Sequence, residues 1–305
     1  MQYLALNNNQ KMPIIGLGTW QAVKDKVGQA VGAAILEYGY RHIDCASIYH
    51  NEKEIGVAFG NVFTKIKREE VFVTSKLWNN MHAPEDVENA CRQTLADLQL
   101  DYLDLYLMHF GVASPRDLGP EPTDKNGVMI SAPISVQQTW QAMENLVSKG
   151  LVKSIGVANF TAPMLVDLLT YAEIKPAINQ IELHPYNQQT ALVKFCKYKN
   201  IAVTAYSPLG SPGGVGKDDP ILLQDPVIVD LAKKYQKTAA QILLRWGIER
   251  GTIVIPKSTT LERLKENIGI FDFSLSAEDV DIIARLDKKH RFVRPEEWWG
   301  FPYFD

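Results

Sequence analysis

Eight short runs of apolar and β-branched residues recur along this chain, each separated from the next by a stretch with helical spacing. The runs fall at 14–18, 40–43, 71–75, 103–108, 153–157, 177–181, 202–205 and 252–255. Near-continuous apolarity over so few residues is what a strand covered on both faces requires, because no solvent-facing side needs polar groups. The stretches between them, among them 84–98, 136–149, 191–199 and 238–250, carry apolar residues three and four apart and start near Pro or a polar residue. Strands alternating with helices pair in parallel, and eight such units close into a (β/α)8 TIM barrel, an α/β fold. Barrels of this kind accommodate all 305 residues in one unit, so the expected organisation is a single domain over 1–305. Two further runs, 3–6 and 12–14, flank an Asn-rich turn and predict a β-hairpin outside the barrel count.

Three segments do not fit the repeat. The loops 111–135 and 209–225 are long for a compact domain, and loops of that length after a strand usually carry function. The tail after Asp287 is rich in Trp, Phe and Tyr, and such a terminus is expected to pack over the active face. With 46% hydrophobic and 22% charged residues the composition is that of a globular protein, and a net charge of −3 offers no electrostatic footprint for nucleic acid. No apolar run is long enough to span a membrane, and residues 1–9 carry neither the basic nor the apolar segment of a secretory signal, so a cytoplasmic location is expected. Cys45, Cys91 and Cys196 are widely spaced, and no His, Asp or Glu spacing calls for a metal.

Asp44, Lys76 and His109 each stand at or just past the end of one of the apolar runs, and Tyr49 lies in the loop after the first of those three. In a parallel barrel the strand ends meet at one face, which is where active sites sit. A phenol with an ordinary pKa near 10 is a poor proton donor to a carbonyl unless a cation stabilises its anion. Lys76 is the candidate cation, Asp44 the group that would hold the ammonium charged, and His109 a group able to orient a carbonyl oxygen. Singly, each has an ordinary structural explanation; together they mark a site. Gly16-Leu17-Gly18 after a strand raises the alternative of a Rossmann dinucleotide turn, but Gln21 stands where the third glycine belongs and Trp20 would obstruct the approach to pyrophosphate. The segment 256–267 reads as an anion site: a strand ends at Pro256, and Lys257, Ser258, Thr259 and Thr260 precede a helix whose positive end favours phosphate.

Several motifs then converge. Met12-Pro13-Ile14-Ile15-Gly16-Leu17-Gly18-Thr19-Trp20, the segment Asp44 to Tyr49 with Asn51-Glu52, Ser75-Lys76-Leu77-Trp78, Leu105-Tyr106-Leu107-Met108-His109, Gly156-Val157-Ala158-Asn159-Phe160, Asn179-Gln180-Ile181-Glu182-Leu183-His184-Pro185-Tyr186, Ala205-Tyr206-Ser207-Pro208-Leu209-Gly210 and Ile255-Pro256-Lys257-Ser258 resemble the aldo-keto reductases. The resemblance runs from Met12 to the last residue. It implies an oxidoreductase with Tyr49 as proton donor, Lys76 and Asp44 as its tuning pair and His109 as the carbonyl-orienting group. It implies a nicotinamide cofactor lying extended across the barrel mouth, expected from Lys257 and Arg263 to be NADPH, with NADH as a weaker second cofactor. Asn159 and Gln180 would hold the carboxamide, Tyr206 would stack on the nicotinamide, and Ser207, Pro208, Leu209 and Ser211 would line the pyrophosphate path. Gly18, Thr19, Trp20 and Asp44 would complete the nicotinamide end, and Pro256, Lys257, Ser258, Thr259, Thr260, Arg263, Glu266 and Asn267 the adenosine phosphate end. Arg263 would add a charge-assisted contact to a 2′-phosphate.

The chain departs from the family pattern at Ala158, usually serine, and at Gly111, commonly proline. Cys45 and His184 are expected to be structural. Trp20, Tyr49, Trp78, His109, Phe110, Phe292 and Trp298 are expected to wall the substrate pocket. The tail resembles fungal xylose reductases, while the stretches 219–226 and 245–248 resemble plant aldose-6-phosphate reductases. Both point to an open-chain aldose reduced to its polyol, and they differ on whether it carries a phosphate, for which Arg116, Lys217, Arg291 and Arg294 are the available cations. A broad aldehyde or ketone reductase, an NADPH-binding sensor or accessory barrel, and a metal-dependent hydrolase on the same fold stay open at this point. So does the choice between monomer and homodimer.

Overall fold

The structure is a computed structural model that describes residues 2–212, 216 and 218–304. Lys217, a candidate phosphate contact, lies outside the described residues. Ten strands occur among the described residues: β1 (Tyr3–Ala5), β2 (Lys11–Pro13), β3 (Leu17–Gly18), β4 (His42–Asp44), β5 (Phe72–Leu77), β6 (Leu105–Met108), β7 (Ile155–Ala158), β8 (Ile178–Glu182), β9 (Ala202–Tyr206) and β10 (Ile253–Val254). β3 to β10 form one parallel sheet in sequence order. The sheet closes on itself: the Gly16 N–H donates to Val254 O at 2.9 Å, the Val254 N–H to Ile14 O at 3.0 Å and the Gly18 N–H to Pro256 O at 3.1 Å. Two glycines permit this seam. A Cβ at Gly18 would lie 2.8 Å from Ile255 O, and one at Gly16 would strike the His42 ring.

All eight apolar runs therefore become barrel strands, with ends displaced by at most two residues except at the start of the first, which is displaced by three. The first is the most reduced, since only Leu17–Gly18 ladder as a strand and Ile15 contributes an isolated bridge to Val254. Alternation still operates inside the continuous apolarity. In β6, Leu105 and Leu107 face a cluster inside the barrel with Met12, Ile178 and Ile253, whereas Tyr106 and Met108 face the helices. The helices begin where local chemistry predicts. Pro84 opens 84–98 with Glu85 and Asp86 in its first turn, and capping boxes at Ser135/Gln138 and Thr238/Gln241 open 136–148 and 239–249, each worth about 1 kcal/mol.

The hairpin β1–β2 pairs Tyr3 with Pro13 and turns through Asn9 in the left-handed region, which asparagine tolerates. Asn8 Nδ2 donates to Ser154 Oγ at 2.8 Å and Gln10 Nε2 to Asp104 Oδ1 at 3.2 Å, both just before strands begin. The hairpin thus covers the N-terminal end of the barrel and leaves the other end to the long loops and the tail. No described helix is long and apolar enough to cross a membrane.

Candidate active site

Asp44 ends β4, Lys76 is the penultimate residue of β5, and His109 directly follows β6. Tyr49 ends a short 3-10 turn, Ser47–Tyr49, that brings its ring back over the strand ends. Lys76 Nζ donates to Asp44 Oδ1 at 2.5 Å, to Cys45 O at 2.7 Å and to the Tyr49 hydroxyl at 3.3 Å. Lys76 and Asp44 are both sealed from solvent, while Tyr49 is half-buried. The second Asp44 oxygen accepts from Gln180 Nε2 at 2.8 Å. The Tyr49 and His109 rings meet edge to face at 5.8 Å. The three strand-end residues and Tyr49, singled out in the sequence, therefore form one contact group.

The electrostatics follow from burial and one cation. Burial works against the Lys76 ammonium, but Asp44 and then Tyr49 outweigh it, and the net shift is upward, so Lys76 is charged. The Tyr49 hydroxyl is pushed up to about 12 by burial, with Lys76 opposing. Desolvation is the larger effect, and the lysine reduces the cost of forming the anion without reversing the sign. Burial and then Lys76 hold His109 well below the usual imidazole range, so it is neutral, and its Nδ1 has no protein partner.

Aromatic groups cover this cluster. Trp78 lies 5.0 Å from His109, Phe110 stacks on His109 at 5.4 Å, and Trp299 meets Phe110 at 4.7 Å. Two pocket assignments change. Phe292 packs against His184 and His290 in the main core, apart from the Trp78–Phe110–Trp299 cluster, so it supports the wall from behind. Trp298 is 40% exposed on the outer side of the tail, and its neighbour Trp299 faces inward instead. Tyr303 carries no local sequence signal of its role: its hydroxyl accepts the Gly111 N–H at 2.8 Å and so pins the start of the 111–135 loop. The aromatic density of the last residues signalled packing, but nothing local could say which ring lands where.

The cofactor candidates gather around the same mouth. Asn159, Ser207 and Ser211 all take left-handed backbone, a costly state for non-glycine residues that clusters at functional sites. Asn159 Nδ2 donates to His109 O at 3.0 Å, Asn159 Oδ1 accepts from Tyr206 at 2.8 Å, and Ser211 Oγ donates to Ser207 Oγ at 2.6 Å. Ala158 is buried and supplies no hydroxyl here. At the other end, Lys257 bridges to Gly18, and the helix Leu261–Ile268 starts three residues after Ser258. The Lys257 pKa is lowered, first by burial and then by the charge of Arg263, so two cations share this helix start. That donor set, with amides no helical turn can pair, fits a phosphate. Pro256 is buried, Trp20 and Thr259 are half-buried, and Asn267 lies on the buried face of the helix itself.

Among the candidate phosphate cations, Arg116 pairs with Asp86, Arg291 lies over Phe304 and donates to Gln189, and Arg294 pairs with Asp219 at 2.9 Å. No group of three or more His, Cys, Asp or Glu able to hold a metal occurs among the described residues.

Comparison with known proteins adds the following. The profile of the Aldo/keto reductase family matches residues 14–288. The chain is 50% identical over 298 residues to "Aldo-keto reductase family 1 member A1" of Gallus gallus, spanning 96% of this chain and 91% of that protein. The Homo sapiens protein of the same name is 48% identical over 295 residues, spanning 95% and 90%. A solved structure, "Structure of the Aldose Reductase from Schistosoma japonicum", superposes with a TM-score of 0.93 at 42% identity, covering 100% of this chain and 98% of that one.

Proposed function

Because this chain belongs to the aldo/keto reductase family, and is therefore an oxidoreductase acting on carbonyl groups, we propose that it reduces an aldehyde, an open-chain aldose in preference, with NADPH and with Tyr49 as proton donor. The observation that carries the reading is the Lys76 ammonium, buried against the Asp44 carboxylate and in contact with the half-buried Tyr49 hydroxyl. The reading takes residues 1–305 as one catalytic barrel acting in the cytoplasm.

Nicotinamide nucleotides, which the family uses, supply a hydride when bound. The chain's own residues would do the rest. His109, neutral in its buried setting, donates a hydrogen bond to the carbonyl oxygen and holds it against Tyr49. The Tyr49 hydroxyl gives its proton to that oxygen as negative charge develops there, and Lys76 stabilises the phenolate left behind. Asp44, held by Gln180, keeps the lysine charged and aimed. Asn159 and Gln180 would hold the carboxamide, Tyr206 would flank the ring, and Lys257 and Arg263 would take the 2′-phosphate.

Trp78, Phe110 and Trp299 make a wall suited to excluding water and covering a small molecule. The pairing of Arg116 with Asp86 and of Arg294 with Asp219 favours an unphosphorylated aldose over its 6-phosphate, with only Arg291 of the three lacking a carboxylate partner, and the likeness to the aldose reductase of Schistosoma japonicum supports a sugar. The same wall favours a second reading, a broad reductase of aromatic aldehydes. Oxidation of NADPH followed by absorbance, with xylose, an aldose 6-phosphate and an aromatic aldehyde as substrates, tests both. Turnover of the aromatic aldehyde alone would leave the broad reading standing, and no turnover of any carbonyl would overturn the proposal.

A further inference from the structure

We infer that Glu182 is a positioning residue for the substrate wall: its carboxylate grips the tail backbone at Phe292 and Val293 and thereby sets where Trp299 stands over Phe110 and Trp78. This deepens the reductase reading and rests on it. Glu182 ends β8 and is fully buried. Oε1 accepts the Phe292 N–H at 2.7 Å and lies 2.8 Å from His184 Nε2; Oε2 accepts the Val293 N–H at 3.0 Å. A carboxylate taken out of water is costly unless its oxygens are met by donors, and here both are, two of the donors being main-chain groups of one remote segment.

The position on the strand gives this grip its meaning. Side chains two apart on a strand share a face, so Glu182 faces as Gln180 does, and Gln180 holds Asp44. One face of β8 therefore carries both the group that steadies the catalytic cluster and the group that steadies the tail. Beyond Val293 the chain turns into a short helix, Pro295–Trp299, and is tied again where the Met129 N–H donates to Trp299 O at 2.8 Å. Phe292 closes the anchored end by packing on His184 at 4.9 Å. A carboxylate serving stability alone would be indifferent to the size of the substrate; one that places Trp299 would not.

Hydrogen exchange and steady-state kinetics on the full chain test the proposal. In the wild type the amides of Phe292 and Val293 should be protected as strand amides are; exchange at open-chain rates would overturn the inference without any variant. Glu182→Gln turns one acceptor into a donor facing an N–H. It should speed exchange at those two amides by at least ~100-fold while β8 stays protected. For an aromatic aldehyde KM should rise about tenfold with kcat within about threefold, whereas glyceraldehyde, too small to reach Trp299, should change by less than about threefold. Trp299→Ala should raise the same KM, and the two changes together should give less than the product of their effects. Equal effects on both substrates, or loss of NADPH affinity with tail protection intact, would overturn the inference. If the wild type reduces no carbonyl, the proposed function fails, and the exchange measurements still judge the grip by themselves.

Discussion

Lys76 Nζ stands 2.5 Å from Asp44 Oδ1 with both side chains closed to water. A buried ion pair contributes little net stability, yet removing one partner strands the other charge. Lys76→Met should therefore cost about 3–5 kcal/mol of unfolding free energy, and Lys76→Met with Asp44→Asn should recover part of it. Urea titration measures this; a loss under about 1 kcal/mol would mean that water reaches the pair.

Tyr49→Phe keeps the ring and removes the proton. Carbonyl reduction should fall by ~10²–10⁴ while NADPH still binds. With the Tyr49 hydroxyl pushed up to about 12 and His109 held well below its ordinary value, neither group changes charge near neutrality. The rate should stay flat from roughly pH 6.5 to 9, both groups keeping the same protonation there. Near-wild-type turnover in the variant, or an inflection of the wild-type rate near pH 7, would sink the respective assignment.

Glu52 lies behind the site, 4% exposed, with Ser75 Oγ donating to it at 2.5 Å. Burial raises its carboxyl from 4.5 to about 7. The fold thus favours the protonated acid, so this contribution to stability is complete below the unfolded value and is lost as pH rises through about 7. Glu52→Gln is neutral throughout. Its stability relative to wild type should grow by on the order of 3 kcal/mol between about pH 4.5 and pH 8, and thermal unfolding across that range reads the difference. Taking the difference cancels His42 and His82, which burial moves the opposite way.

Lys257 and Arg263 share a helix start. A charge-assisted bond to a 2′-phosphate is worth about 1.5–3 kcal/mol, so Arg263→Ala should weaken NADPH by roughly 10- to 100-fold and NADH far less. Binding titrations with both nucleotides decide it: equal losses would show that Arg263 does not read the 2′-phosphate.

The barrel was legible because strands buried on both faces must be apolar throughout, and that requirement is written in consecutive residues. The strand ends were legible too, and with them the convergence of Asp44, Lys76 and His109, since a parallel barrel brings every strand's C-terminal end to one face. The helix starts at Ser135 and Thr238 followed from capping boxes confined to four neighbouring residues, and the one at Pro84 from a proline at the first helical position.

What the tertiary structure alone decided are the relations between groups far apart in the chain. Gln180 reaches Asp44 across 136 positions, and Glu182 reaches the Phe292 amide across 110. Arg294 spends its charge on Asp219, Phe292 goes inside, and Trp299 faces the site in place of Trp298. Periodicity reports which face of an element is dry, because neighbouring side chains share one backbone geometry. It carries no record of where a loop or tail comes to rest, which depends on shape and on the buried polar groups left needing a partner once the barrel has closed.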